Sequence, residues 1–348
     1  MDKSHPLLSI VIPHYNNFNI LKECIESLLL ITYKNYEIII VDNCSEDNSY
    51  SLIKKNFKNL NIYKTEKNLG YSGGCNFGAK YSKGDYILFL NNDTIHSVDF
   101  IEPLIDFLEK NQDVSSVQPK IKNYYKKKYF DYAGAAGGFI DYLVYPFCRG
   151  RIFDTLEKDN KQYDNNCKVF WTSGTAFITR KKIFDYLRGF DEKLFCHMEE
   201  IDYCWKTYLI GYKNYVIPES VIYHKGAQSL GYDSIQKKYL NHRNSMILLL
   251  TNYQLLRTIK NFIIRFFLEI LSSFYELFKL RPSHFLIHYK TFIYLFFNLN
   301  YLLKRRQFIQ KIRKYDDSKI INSDIVLRKS LVKDYFLFNK KYFYKVMK

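Results

Sequence analysis

DYILFLNND, residues 85–93, opens as an apolar run and closes on three side chains built to hydrogen-bond. An apolar centre without polar alternation is the pattern of a strand covered on both faces, as in a parallel sheet. Its polar tail, Asn91, Asn92 and Asp93, therefore falls at the strand's carboxyl end, outside which open α/β sheets form their ligand crevice. Taken alone, the tail reads equally well as a turn, because Asn and Asp favour turns on conformational grounds.

The segments around it shift that balance. LLSIVIP (7–13), EIIIVDN (37–43) and NIYKTE (61–66) are further strand-like runs, with apolar residues at helical spacing over 20–30 and 49–57. Strand and helix in alternation predict βαβ units and an α/β fold with a mostly parallel sheet flanked by helices. The first run ends in Pro13, His14, Tyr15 and Asn16, and the second in Asp42, Asn43 and Ser45. One polar strand end is a turn, whereas three on one sheet edge make a pocket. An Asp at the end of the second strand can accept hydrogen bonds from a base or a ribose hydroxyl. The chain has no GxGxxG after its first strand and no GxxxxGK[ST], which removes most support for a dehydrogenase or P-loop enzyme. Asp93 suits a divalent cation that also touches a diphosphate and neutralises its charge as it departs, the chemistry of group transfer from a nucleotide.

Further along, an apolar run at 114–117 extends the sheet. Residues 120–165 break the rhythm and read as an insertion or acceptor-side loop region. FWTSGTAFITR predicts a strand over 170–179, followed by a short helix in KKIFDYL. Residues 199–209 read as a helix, and 215–223 as a strand pair turned by Pro218.

The chain has 348 residues, enough for one large domain or two modest ones, and is unusually aromatic, with 32 Tyr and 28 Phe. Its seven Cys lack CxxC or zinc-type spacing and fit reduced, mostly buried thiols without a function. MDKSHPLLSIVIPHYNN runs directly into a strand, so the expectation is a cytosolic protein. The net charge of +17 divides unevenly: residues 1–234 carry 29 basic and 29 acidic side chains, and residues 235–348 carry 23 and 6.

That basic third changes to long helical patterns nearly free of Gly and Pro. In IKNFIIRFFLEILSSFYELFK, the residues Asn261, Arg265, Glu269, Ser272 and Glu276 form a narrow polar stripe on an otherwise apolar helix. HFLIHYKTFIYLFFNLNYLL is long enough to span a bilayer, but His288, Lys290, Asn298 and Asn300 make it a poor span. Wide apolar faces are the wrong surface for nucleic acid, and no such binding motif is present. Helices lying in an anionic inner leaflet explain apolar faces and positive charge together. A dimer interface or a cover for the catalytic core is the competing use.

Six ordered stretches, VIPHYNN, VDNCSED, NLGYSGGCNFG, LFLNNDT, WTSGTAFITRKKIFDYLRGFDEKLFCHMEEIDYCWK and VIYHKG, resemble family 2 glycosyltransferases of the GT-A fold, particularly the branch with rhamnosyltransferases. The resemblance covers about residues 7–226. It implies that Pro13, Tyr15, Asp42 and Asn43 hold the donor's base and ribose, and that Gly70, Gly73, Gly74 and Asn76 fold close to the donor. Independently of the family, small residues there let backbone N–H groups approach a phosphate or sugar, although a single glycine at a helix entry more often serves packing than direct contact. LFLNNDT matches a DxD-type metal motif whose first carboxylate is replaced by Asn91, with Asn92 beside it and Asp93 as the remaining anion. His224 matches a histidine ligand that would help hold Mg²⁺ or Mn²⁺. Glu200 matches the general base, with Glu199 contacting or positioning the acceptor. Trp171 and Asp202 fall in the acceptor region, where a core Trp and a structural Asp compete with the functional reading.

The organisation expected is a GT-A catalytic domain over 1–234, with a nucleotide-sugar half at 1–119 and an acceptor half at 120–234. A basic, amphipathic, α-helical C-terminal region over 235–348 would bind the inner face of the cell membrane. The activity implied is inverting, metal-dependent transfer of rhamnose or another hexose. The donor would be a dTDP- or UDP-linked sugar, and the acceptor a hydroxyl of a lipid-linked or cell-surface glycan. No nucleic-acid partner is expected, and a homo-oligomer is left open. The rivals are a nucleotidyltransferase, which would lack the acid pair and the late His, and an inactive scaffold that keeps the fold and binds nucleotide sugar or a partner enzyme.

Overall fold

A computed structural model of the chain describes residues 5–226 and 234–347. Its first half contains β1 (Leu8–His14), α1 (Phe18–Leu28), β2 (Tyr36–Asp42), α2 (Ser49–Asn56), β3 (Asn61–Lys64), α3 (Gly70–Ala79) and β4 (Tyr86–Leu90). β1 lies between β2 and β4, with β3 outside β2, all parallel. Side chains alternate between two cores: Ile10, Ile12, Ile40 and Leu88 enter one, and Val11, Ile39, Val41 and Phe89 the other. Both faces are covered, which is why these strands read as continuous apolar runs.

The chain continues through β5 (Thr94–His96), α4 (Glu102–Lys110) and β6 (Val114–Asn123) into β7 (Gly138–Asp141), β8 (Pro146–Cys148), β9 (Arg151–Ile152) and β10 (Thr155–Leu156). Residues 120–165, expected as loops, thus build most of a second sheet, through strands too short to show periodicity. The main sheet is completed by β11 (Cys167–Val169) and β12 (Ala176–Arg180), and, after α5 (Lys181–Tyr186) and α6 (Glu199–Leu209), by β13 (Lys213–His224).

Two expected strands differ. The one at 170–179 begins only at Ala176, because Ser173 turns the chain, its carbonyl accepting from the Ala176 N–H at 3.1 Å. β12 then runs antiparallel between β4 and β6. The pair expected at 215–223 is a single strand. Its register shifts between Ile217 and Val221, leaving Pro218 in an irregularity where its missing N–H costs no ladder bond.

The basic third forms α7 (Ile235–Asn252), α8 (Leu255–Phe278), α9 (Pro282–Phe297), α10 (Leu299–Ile312), α11 (Asp317–Ile321), β14 (Val326–Leu327), α12 (Leu331–Phe336) and α13 (Phe343–Val346). β14 pairs with β7, and Met246, Leu295 and Ile309 share one core with Phe89 and Trp205. The polar stripe of α8 faces inward: Thr258, Asn261, Arg265, Glu269 and Ser273 are buried, with Ser273 taking the place expected for Ser272. Arg265 donates through Nε to Glu269 Oε1 at 2.7 Å, and His242 and His288 bring Nδ1 to Glu269 Oε2 at 2.8 and 2.5 Å. The apolar face is left outside, with Leu256 84% and Phe267 62% exposed. Among the described residues, no helix is long and apolar enough to cross a membrane.

Candidate active site

The carboxyl ends of β1, β2 and β4 meet the end of β13. Asn91 is anchored by its N–H to the Thr175 carbonyl at 2.9 Å, and the Asn92 amide lies 2.8 Å from His14 Nδ1. Asp93 is almost fully buried, with Oδ1 3.1 Å from His224 Nε2. The Asn91 amide comes to 3.5 Å of the same nitrogen, and His224 Nδ1 lies 2.8 Å from Asp131 Oδ1. Burial alone would lower the pKa of His224, but Asp93 and Asp131 on either side raise it to about 10. For Asp93, burial pushes upward and His224 outweighs it, so the carboxyl is held below its ordinary value.

With the Nε2 proton of His224 displaced, as a metal requires of a histidine ligand, this donor set fits a small divalent cation. Adjacent ligands of an octahedral ion with bonds of about 2.1 Å sit about 3 Å apart, close to the Asp93–His224 separation of 3.1 Å. With Nε2 on a cation, Nδ1–H would donate to Asp131 in the usual carboxylate–histidine–metal arrangement. Asp131 lies in the stretch read as loop, and no local pattern marks it.

At the donor side, Asp42 is fully buried, with Oδ2 accepting from the Ser45 N–H at 3.3 Å and Oδ1 enclosed without a partner. An orphaned buried carboxylate oxygen calls for a donor from a ligand or water. Pro13 and Tyr15 are half-buried beside it, the Tyr15 hydroxyl donating to Glu46 at 3.0 Å.

The other expected donor residues are committed to protein partners. Asn43 donates to the Gly70 carbonyl at 2.9 Å and accepts from the Leu69 N–H at 2.9 Å, fastening the entry of α3. Asn76 donates to the Phe190 carbonyl and accepts from its N–H, both at 2.9 Å. A Cβ on Gly73 would lie 2.6 Å from Leu69, and one on Gly74 3.1 Å from Pro13, so these glycines serve close packing. Gly70 has φ +69° and abuts the Phe195 carbonyl, a position that excludes other residues.

Glu199 and Glu200 open α6, each with Oε2 enclosed and unpartnered. Burial pushes Glu200 up to about 7, and burial with the adjacent Glu200 charge pushes Glu199 well above the carboxylate range. Glu200, half-buried and titrating near neutrality, has the properties of a general base. The loop before it is strained: Phe195, His197 and Met198 all have positive φ. Asn244 of α7 holds it, the two hydrogens of its amide nitrogen shared among the carbonyls of Leu194, Cys196 and His197 at 2.9, 3.0 and 2.7 Å. Arg243 adds bonds to Lys193 and Leu194. Sequence reading missed this pair, since RN inside a helix carries no signal of its own.

The two expected acceptor residues sit in the interior. Trp171 is 4% exposed, stacks where a Cβ of Gly138 would be, and donates Nε1–H to the Phe139 carbonyl at 2.9 Å. Asp202 is paired with both guanidinium nitrogens of Arg305, with Lys206 at 3.2 Å and with the Asn252 amide at 2.9 Å. Burial opposes its charge, yet Arg305 and Lys206 lower its pKa to about 2. It clamps α10 and the end of α7 to α6.

Comparison with known proteins agrees with this architecture. The family model described as glycosyl transferase family 2 matches residues 9–187. An uncharacterized glycosyltransferase of Rickettsia felis is 36% identical over 140 residues, 40% of this chain and 23% of that protein. The chain spans between 18% and 35% of the length of this and three other rickettsial relatives. N-acetylglucosaminyl-diphospho-decaprenol L-rhamnosyltransferase of Mycobacterium tuberculosis is 22% identical over 257 residues, 70% of this chain and 84% of that protein. Among solved structures, GalNAc-T7 with UDP, GalNAc and Mn²⁺ aligns over 72% of this chain and 49% of that one, with a TM-score of 0.56 and 16% identity. TarS 1–349 of S. aureus aligns over 91% and 92%, with a TM-score of 0.52 and 17% identity. At these identities the structural likeness establishes the fold.

Proposed function

Since the chain belongs to glycosyl transferase family 2, we propose that it transfers a hexosyl group, with inversion, from a nucleotide diphosphate to an acceptor hydroxyl. The single observation that carries this is the convergence of Asp93 and His224 at 3.1 Å on one sheet edge. Asp42 on the same edge, with a free carboxylate oxygen, would receive the base or ribose. A divalent cation between Asp93 and His224 would neutralise the diphosphate as it leaves. Glu200 takes the proton of the acceptor hydroxyl as that oxygen bonds to the anomeric carbon, while the bond from that carbon to the diphosphate breaks. One displacement with one base and no covalent nucleophile inverts the centre.

The mycobacterial relative favours rhamnose as the sugar and a lipid-linked glycan as the acceptor. The exposed apolar face of α8, on a region carrying the whole charge excess, supports docking on an anionic membrane surface. Asn91 in place of a carboxylate favours the second reading, a nucleotide-sugar-binding scaffold without turnover.

The deciding experiment is hydrolysis of dTDP-rhamnose, UDP-glucose, UDP-galactose, UDP-N-acetylglucosamine and GDP-mannose with Mn²⁺ or with EDTA. Slow turnover of one donor that stops in EDTA is the expected result. Metal-dependent binding without turnover, even after anionic vesicles carrying lipid-linked glycan are added, selects the scaffold.

A further inference from the structure

Beside the loop that leads to the acid pair, a cavity of about 890 Å³ opens between α7, α9 and residues 192–195. Its wall combines two chemistries. Lys193, Arg243 and Lys290 line it, and none of the three pairs with a carboxylate among the described residues. Instead Lys193 lies 4.5 Å over the ring of Tyr301 and Lys290 4.7 Å over that of Tyr239. Arg243 donates through Nε to the Asn244 side-chain Oδ1 and through Nη2 to the backbone carbonyls of Lys193 and Leu194. Leu240, Leu286 and Ile287 supply an apolar wall. Leu286 is 58% exposed and continues through Ile293 and Phe297 into the exposed apolar surface of the helical region. Among the described residues Glu192 is the one acid lining it, and its carboxylate is turned to the Asn76 amide at 3.2 Å.

We propose that this cavity binds the phosphate or diphosphate end of a lipid-linked acceptor, with the start of its hydrocarbon chain along Leu240, Leu286 and Ile287. A soluble anion would satisfy the three cations and leave the apolar wall bare, and a neutral lipid would do the reverse. A lipid phosphate uses both, and its chain leaves along a surface that is already apolar. Because Lys193 leads into the strained turn that begins at Phe195 and ends at Glu199, the phosphate end lies beside the segment carrying the base. The inference rests on the transferase reading and adds where the acceptor's anchor is gripped.

The test uses the full chain in EDTA, so that no cation at Asp93 and His224 can hold diphosphate, with farnesyl diphosphate, inorganic diphosphate and farnesol as probes. Farnesyl diphosphate should bind at least about tenfold tighter than either half. Lys193→Glu with Lys290→Glu should lose about tenfold, as expected when charge-assisted contacts are reversed. Equal binding of inorganic diphosphate would reduce the site to an anion site, equal binding of farnesol to an apolar groove, and an unchanged double variant would place the lipid elsewhere. Each of these overturns the proposal. UDP binding with Mn²⁺, measured on the same preparations, separates the two claims. UDP binding that persists while farnesyl diphosphate fails sinks this inference alone, whereas its loss in the unmodified protein sinks the transferase reading.

Discussion

The side-chain amide of Asn244 donates to the carbonyl of His197 at 2.7 Å, so a helix of the basic third holds the turn from which the acid pair projects. His197 and Met198 are both left-handed there, and neither is glycine. Such backbone persists only where surrounding bonds over-determine it. Asn244→Ala should therefore lower kcat about tenfold or more with donor KM nearly unchanged, together with a stability loss of about 1–3 kcal/mol. Steady-state kinetics per folded enzyme, beside a denaturation curve, checks it. Unchanged kcat with lowered stability would reduce Asn244 to a structural role.

Asp131 should tune the cation site without being a ligand. Asp93→Ala and His224→Ala should abolish Mn²⁺-dependent UDP binding, whereas Asp131→Asn should weaken it by about 10–100-fold, the usual effect of removing a ligand's hydrogen-bond partner. Calorimetric titration of UDP at fixed Mn²⁺ distinguishes the two grades of loss.

Glu200 titrates near 7 and must be ionised to accept a proton, so kcat should rise with pH up to about 7 and level off above. Glu200→Gln should remove about 10²–10⁴-fold of the rate and keep UDP binding. Its folded pKa lies above the unfolded value of about 4.5, so the native state binds the extra proton and loses stability as pH rises between the two. The Gln variant should accordingly melt higher than the parent at pH 8 and no higher at pH 4.

The opposite sign holds for Asp202. With its folded pKa lowered to about 2, the stabilisation is complete above the unfolded value near 3.8 and is lost as pH falls from there to about 2. Arg305→Ala leaves that carboxylate buried with only Lys206 and Asn252, and should cost about 3 kcal/mol at pH 7. Urea denaturation at pH 7 and pH 3 reads both effects.

Phe267→Glu with Leu271→Glu changes only exposed positions of α8. Sedimentation with anionic vesicles should fall at least about tenfold, the scale of burying two large apolar side chains, while the melting temperature stays put. If the parent is instead a dimer by light scattering and the variant a monomer, the face belongs to a second copy of the chain.

Strand runs such as DYILFLNND and their polar ends were legible because a strand buried on both faces writes its environment into consecutive residues. The acid pair was marked only by the resemblance to the family, since two carboxylates at a helix start equally suit the helix dipole, whereas the polar stripe of α8 showed by its spacing. Its direction was not legible: the same periodicity serves a helix that buries its apolar side and one that buries Arg265 and Glu269. The strand expected from residue 170 failed because the chain turns between Ser173 and Ala176, through Gly174 and Thr175, inside an otherwise apolar stretch.

The sequence by itself determined the alternation of strand and helix, the sheet edge where Asp42, Asp93 and His14 gather, and the separation into a neutral body and a basic third. These follow from local periodicity and charge, which neighbours along the chain carry. Only the tertiary structure decided that Asp131 reaches His224 across 93 residues, that Asn244 grips the loop at His197, and that Asn43, Asn76, Trp171 and Asp202 are committed to protein partners. A side chain's partners are set by which elements pack against it, and no local pattern records that.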